Sequence, residues 1–130
     1  LSIIKKEKRT VMSTDFIIEP GRECTCKTNF LIKSDNKVVG TICLKKLNYA
    51  ITEIKHLVIK EEYRKRGIGQ KLMEYVMDVI ETPLMLATVR ADNLSCIKLN
   101  IKLGFKTNKV FISPGTGNKI ILFIGSKDGL

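Results

Sequence analysis

The stretch ITEIKHLVIKEEYRKRGIGQKL, residues 51 to 72, constrains this chain more than any other. An apolar, β-branched run, Ile51 to Ile59, passes through a short basic loop and two glycines one residue apart, Gly67 and Gly69. Helical spacing follows: Ile68, Leu72, Val76, Val79 and Ile80 recur three or four apart, with Met73 and Met77 beside them, until Pro83 ends the pattern. Leu84 to Val89 (LMLATV) then reads as a short buried strand. Strand, helix, strand in that order is a right-handed crossover between two parallel strands. The glycines therefore sit where the helix begins.

The remaining segments add antiparallel neighbours. Residues 28 to 33 and 37 to 47 are β-rich runs around Ser34-Asp35-Asn36, a hairpin turn, and residues 51 to 59 make a more central strand. A second helix starts at Asp92 or Asn93, either of which caps it, and runs to Leu103 with Gly104 as its stop. Two last strands fit Phe105 to Ser113 and Lys119 to Gly125. Leu1 to Ile4 suits a first strand, while residues 10 to 27 hold Pro20-Gly21 and no sustained helical period, so any helix there is short. With 130 residues and neither repeat nor linker, one domain spanning 1–130 is expected, of α/β class with a mixed α+β sheet flanked by helices.

Composition narrows the partners. The excess of 23 Lys+Arg over 13 Asp+Glu gives +10, favouring an anionic partner, yet 18 of the 23 are lysines scattered along the chain, as on a solvated surface. Nucleic acid is disfavoured, since charge is its sole support and no aromatic stacking platform accompanies it. Cys24, Cys26, Cys43 and Cys96 are too few for a disulfide scaffold, so reduced thiols in a cytoplasmic protein are expected. No C-x-x-C or His pair joins His56 in a zinc set, so no metal is expected. No apolar run reaches the ~18 residues of a membrane span, and LSIIKKEKR is charged where a signal core is apolar.

A strand entering a helix through glycines presents unpaired N–H groups at the positive end of the helix dipole, which is a phosphate cup. Gly67 and Gly69 keep side chains out of it, and Arg64, Lys65, Arg66 and Lys71 surround it with positive charge. A Walker A loop is excluded because Gln70-Lys71-Leu72 follows Gly69, and a dinucleotide fingerprint fits poorly because Leu72 stands where its last small residue belongs.

Arg64-Lys65-Arg66-Gly67-Ile68-Gly69, within HLVIKEEYRKRGIGQKLM, resembles the [QR]-x-x-G-x-[GA] signature of the GNAT (Gcn5-related N-acetyltransferase) family. VRADNLSCIKLNIKLGF, residues 89 to 105, is similar to that family's asparagine-to-Gly-Phe block, so the two matches cover 53 to 105. The resemblance implies a GNAT-like sheet in which the strands at 51–59 and 84–89 splay apart and admit the pantetheine arm of acetyl-CoA. Its pyrophosphate would lie on the loop Arg64, Lys65, Arg66, Gly67, Ile68, Gly69 and Gln70. The arm would pair with the backbone of Leu57, Val58 and Ile59, whose Leu57 and Val58 side chains are expected in the core, and would touch Asn93, which also suits a helix cap.

The implied activity is acetyl transfer from the CoA thioester to a primary amine by direct attack in a ternary complex. Such transfer needs a neutral amine, a donor for the developing oxyanion, here a backbone N–H near Leu57 or Val58, and a departing thiol. A lysine amine, of pKa about 10.4, needs a base more than an α-amine of about 8 does. By its distance from Gly67, Glu53 matches a catalytic Glu of some members; paired with a lysine on a strand surface it would be structural instead. His56 also suits a base, and a period of two places it on the strand face opposite Glu53. Asn100 stands where members often carry a Tyr that protonates the thiolate; an amide gives up no proton, although its N–H can hydrogen-bond a thiolate. Thr88 departs from the Glu common in ribosomal-type N-terminal acetyltransferases. The short segment before residue 28 leaves little to wall an acceptor site, which suits a peptide or protein amine. The alternative is a non-catalytic CoA-binding sensor or scaffold of the same fold.

Overall fold

Among the described residues, eight strands and two α-helices form the mixed α/β fold expected, with the crossover at its centre. A computed structural model describes residues 10–11, 16–21 and 28–128; Leu1 to Ile4, Cys24 and Cys26 lie outside them. Strands β1 (Thr10–Val11), β2 (Ile17–Pro20), β3 (Thr28–Ser34), β4 (Lys37–Lys46) and β5 (Ile51–Ile59) run antiparallel, each to the next. Helix α1 (Ile68–Val79) then crosses to β6 (Leu84–Arg90), parallel to β5, and α2 (Leu94–Lys102) leads to β7 (Lys106–Ile112) and β8 (Lys119–Ser126). The sheet order is β1-β2-β3-β4-β5-β6-β8-β7.

Topology puts both helices on one face. β8 is antiparallel to β6 and to β7, so β6 and β7 are parallel and α2 is a second crossover in the same direction as α1. Right-handed connections then stack both helices on the same side. The core lies between: Phe30, Ile32, Ile42, Leu44, Ile54, Met85 and Phe123 from the strands meet Ile68, Leu72, Met73, Val76 and Val79 of α1. The helical spacing read from the sequence thus marks the buried stripe of α1. On the other face Leu31, Thr41, Cys43, Glu53 and Lys55 are half-buried, and among the described residues no helix covers them.

Local chemistry sets the element ends. Asp35 and Asn36, at φ 51° and 63°, close the β3–β4 hairpin with the two left-handed residues of a type I′ turn. α1 stops at Val79, before Pro83, because Ile80 is extended; Lys127 Nζ donates to the carbonyls of Asp78 (3.1 Å) and Ile80 (2.5 Å), a cation at the negative helix end. Thr52 and Thr82 join their hydroxyls at 2.6 Å, tying the start of β5 to the turn before β6. β1 and β2, of two and four residues, are too short to show a period in the sequence.

Gly40 lies where β4 meets the end of β5, and a Cβ there would come within 2.6 Å of Ile59 Cδ1 and 2.9 Å of Ile32 Cγ2. Gly40→Ala should therefore cost about 1–3 kcal/mol in urea denaturation by overpacking. Gly115→Ala, where a Cβ meets nothing within 4 Å, should be close to neutral in the same measurement.

Candidate active site

The two parallel strands at the centre separate after four pairs. Ile51, Thr52, Glu53 and Ile54 pair with Leu84, Met85, Leu86 and Ala87, and the pairing ends there. β5 continues to Ile59 bonded only to β4, whereas β6 continues to Arg90 bonded only to β8. Both strands are thus held from outside while their facing edges part. A cleft of about 220 Å³ opens between them, bounded by β5 at Ile54 to Leu57, by β6 at Ala87 to Arg90, and by Cys96 and Asn100 of α2. Backbone groups on the free edge of β5 can pair with an extended ligand there, as with an added strand.

A bulge in β5 corrects two expectations. His56 has φ 55°, and the β4–β5 register jumps so that Thr41 faces Val58 while Cys43 faces Lys55. His56 and Leu57 together oppose Ile42, one residue too many for strict alternation. Period two would send His56 to the same side as Ile54; instead it is exposed, and Leu57 and Ile59 take over the core-facing positions. Val58 is 55% exposed and does not belong to the core.

At the far end of this edge lies the glycine loop. Gly67, at φ 76°, is the N-cap of α1 with no side-chain cap bond, no acidic residue occupies the first turn, and the first intrahelical bond runs from Lys71 N to Gly67 O. The N–H groups of Ile68, Gly69 and Gln70 thus precede any helical partner. No atom lies within 4 Å of a Cβ built on Gly67, and one on Gly69 would meet only side chains at 3.7–3.9 Å. Neither glycine is there to let another part of the protein come close; at Gly67 the left-handed backbone asks for one. The open cup accepts an anion.

The basic residues are partly committed. Arg64 Nε donates to Ile59 O (2.9 Å), so that carbonyl is occupied, and the Arg66 guanidinium lies 5.1 Å above the Tyr63 ring. Lys71 faces Phe16 at 5.9 Å, and Gln70 accepts through Oε1 from Lys102 Nζ (2.9 Å), bracing α1 against α2. Lys65 is exposed at φ 63°. What Gln70 offers the cup is its backbone N–H.

α2 supplies the inner wall. Asn93 is its N-cap, Oδ1 accepting from Cys96 N and from Ser95 Oγ, both at 3.2 Å, and the residue also borders the cleft. Asn100 is buried; its Nδ2 donates to Cys96 O (2.9 Å) and to Cys96 Sγ (3.6 Å), and Oδ1 has no partner. Both donor directions of the amide are therefore spent on Cys96, so the expected N–H for a thiolate is already engaged. Burial pushes the Cys96 thiol above its usual value, with the Asn100 hydrogen bond acting the other way. Sequence reasoning missed Cys96; its signal is the i, i+4 spacing to Asn100 on one helix face.

Glu53 sits in the last paired stretch before the split, on the face away from the helices. Lys45 faces it across β4, and Lys55 Nζ lies 3.7 Å from its carboxylate. Thr88 borders the cleft and is exposed. Among the described residues no three His, Cys, Asp or Glu gather as a metal set, and no helix is long and apolar enough to cross a membrane.

The model of the acetyltransferase (GNAT) family matches residues 6–105. The chain belongs to that family. Its fold is similar to that of a GNAT acetyltransferase from Elizabethkingia anophelis solved with acetyl-CoA bound, at 16% identity, 88% of this chain, 99% of that one and TM-score 0.72. It is also similar to a spermidine N-acetyltransferase from Vibrio cholerae (16% identity, 80% and 67% covered, TM-score 0.69). A ribosomal-protein alanine N-acetyltransferase from Escherichia coli gives 18% identity, 78% and 70% covered, and TM-score 0.66. A comparison with curated proteins finds no matching sequence. In this GNAT chain the signature loop and the asparagine block fall at the two helix N-termini that flank the cleft.

Asn93→Ala should cost about 1 kcal/mol in urea denaturation, because the first turn of α2 loses its cap. Asn93→Asp, which keeps the acceptor, should recover most of that stability.

Proposed function

We propose that this chain moves an acetyl group from acetyl-CoA to a primary amine by direct attack in a ternary complex. The observation that carries the reading is the continuity of the free β5 edge with the uncapped, glycine-lined start of α1. The residues fit CoA: the N–H groups of Ile68, Gly69 and Gln70 suit its pyrophosphate, with Lys65 and Arg66 as screened partners, and Leu57 and Val58 offer backbone to the pantetheine amides. Ile59 contributes less through its carbonyl, which Arg64 already occupies. At about 220 Å³ the cleft takes the thin arm and the thioester, leaving the nucleotide outside.

Bound there, acetyl-CoA supplies an activated acyl group, and the protein's part is to align it, keep water out and handle protons. An N–H on the free edge near Leu57 serves the carbonyl oxygen as charge develops. Glu53 is the proposed base, set at the root of the split on the side away from the helices, with His56 beside the cleft as the other candidate. The acceptor is a peptide or protein amine. Pro20 and Thr28 are separated by residues 21–27 alone, too short a connection for a pair of helices that would wall in a small molecule. A CoA-binding module without turnover is the second reading, favoured by one observation: the donors of Asn100 point at Cys96 and not into the cleft.

Gly69→Asp should abolish CoA binding in calorimetry while the protein stays folded, because a carboxylate would fill the phosphate cup. Gly69→Ala adds a Cβ with no contact closer than 3.7 Å and should bind within about tenfold of the parent, a loss of about 1.4 kcal/mol or less. Equal CoA affinity in folded Gly69→Asp would overturn the assignment. Glu53→Gln keeps the side-chain shape and removes the proton acceptor. With a lysine peptide at pH 7 it should lower turnover about 10²-fold or more, with part regained at pH 9, where more amine is neutral. An unchanged rate would exclude Glu53 as the base.

A further inference from the structure

The cleft has two faces that differ in chemistry. Lys55, Thr88 and Arg90 border it on the helix-free face, where Lys55 pairs with Glu53 and Arg90 with Asp92 at 2.8 Å. Toward the helices the border consists of Ile54, Leu57, Met73, Ala87, Val89, with Asn93, Cys96 and Asn100 from α2. Among these helix-side residues the Cys96 thiol has a dissociable proton; His56, exposed at the β5 bulge, also borders the cleft.

A ligand anchored at the start of α1 enters from the helix side. The edge of β5 from Ile59 back to Lys55 is four residue steps, roughly 13 Å, most of the reach of an extended pantetheine arm. The arm would therefore end near the floor of the split, where Ile54 and Ala87 are still paired, with its sulfur toward α2 and its carbonyl open to the other face. On the same wall, the amide oxygen of Asn100 is buried and without a partner.

We propose that Cys96 is the proton donor to the departing CoA thiol, with Asn100 as the positioning residue that holds its sulfur. The inference rests on the transfer reading above. As the acceptor nitrogen bonds to the carbonyl carbon and the carbon–sulfur bond breaks, the bonding pair goes to the CoA sulfur. The S–H proton of Cys96 moves to that sulfur, giving free CoA thiol. Cys96 is left as a thiolate that keeps the Asn100 Nδ2–H bond, now charge-assisted, and the proton released by the acceptor amine returns to it through water. Burial pushes the Cys96 thiol above an ordinary thiol, so transfer to the CoA sulfur runs uphill, and the Asn100 Nδ2–H bond to the new thiolate offsets part of that cost.

Two measurements on the full chain test this. The first is independent of turnover: incubated for hours with CoA disulfide at alkaline pH, where the raised Cys96 thiol ionises, the parent should form a mixed disulfide with CoA at Cys96 and not at Cys43, read by peptide mass spectrometry, and Gly69→Asp should form none. The second is single-turnover acetylation across a panel of peptide amines. Cys96→Ala should slow it about 10- to 100-fold, at the low end of acid–base effects because a thiol leaves readily, with acetyl-CoA affinity within about twofold of the parent. Cys96→Ser, which keeps a hydroxyl donor, should recover part of the rate. No adduct at Cys96 in a protein that binds CoA, or a parent-like rate in Cys96→Ala, overturns the proposal. An adduct in a parent that acetylates no amine also removes the proton-donor role and favours the non-catalytic module. Failure of the parent to bind CoA at all would instead bring down the transfer reading beneath it.

Discussion

Every feature of the site depends on hydrogen bonds that β5 and β6 do not make. A buried strand edge without partners is costly, and a sheet normally closes it. Here each strand is retained by its outer neighbour, β4 or β8, while Met73 of α1 and Cys96 and Asn100 of α2 stand over the gap. The β4–β5 bulge works in the same direction, since the extra residue at His56–Leu57 adds twist just past the last β5–β6 pair. Gly40, pressed against Ile59 and Ile32, keeps β4 close enough to hold the diverging end of β5. The opening is therefore a product of the sheet's own geometry.

Much of this was legible because it rests on periodic or punctuated sequence. The apolar stripe of α1, the Asp35-Asn36 turn, Asn93 as a cap and the crossover from β5 to β6 each follow from residue types at fixed spacing. The bulge was not legible: histidine in a left-handed conformation carries no local signal, and strict alternation placed His56 and Val58 on the wrong sides. The identity of Asn100 could be read at its position, but the direction of its amide is set by a bond to the Cys96 carbonyl one turn earlier on α2, a rotamer choice that residue type alone does not fix. β1 and β2 failed for a simpler reason, being shorter than any period they might display.

The basic character of the chain also means less at the site than a count suggests. Of the loop cations, Arg64 braces the end of β5 and Arg66 rests on Tyr63, while Gln70 and Lys102 join the two helices. The side chains shape the cup, and backbone N–H groups form its surface. Exposed charges contribute mainly at long range, where salt screens them. A cup of fixed dipoles retains its attraction for an anion after the screened charges have lost theirs, which accounts for glycines, not arginines, being the residues with no alternative structural employment at Gly69.

The placement of the groups proposed to handle protons has a direction. Glu53 faces away from the helices, and Cys96 with Asn100 forms the helix-side wall, so the sheet separates the two. An acyl group threaded through the split would then present its carbonyl carbon to one side and its sulfur to the other. A proton taken from an attacking amine and a proton given to a leaving thiol need not compete for one residue, as they would in a single pocket. That separation favours direct transfer over a covalent acyl-enzyme: a nucleophilic Cys96 would have to be a thiolate before reaction, and its burial holds it in the protonated form that a donor requires.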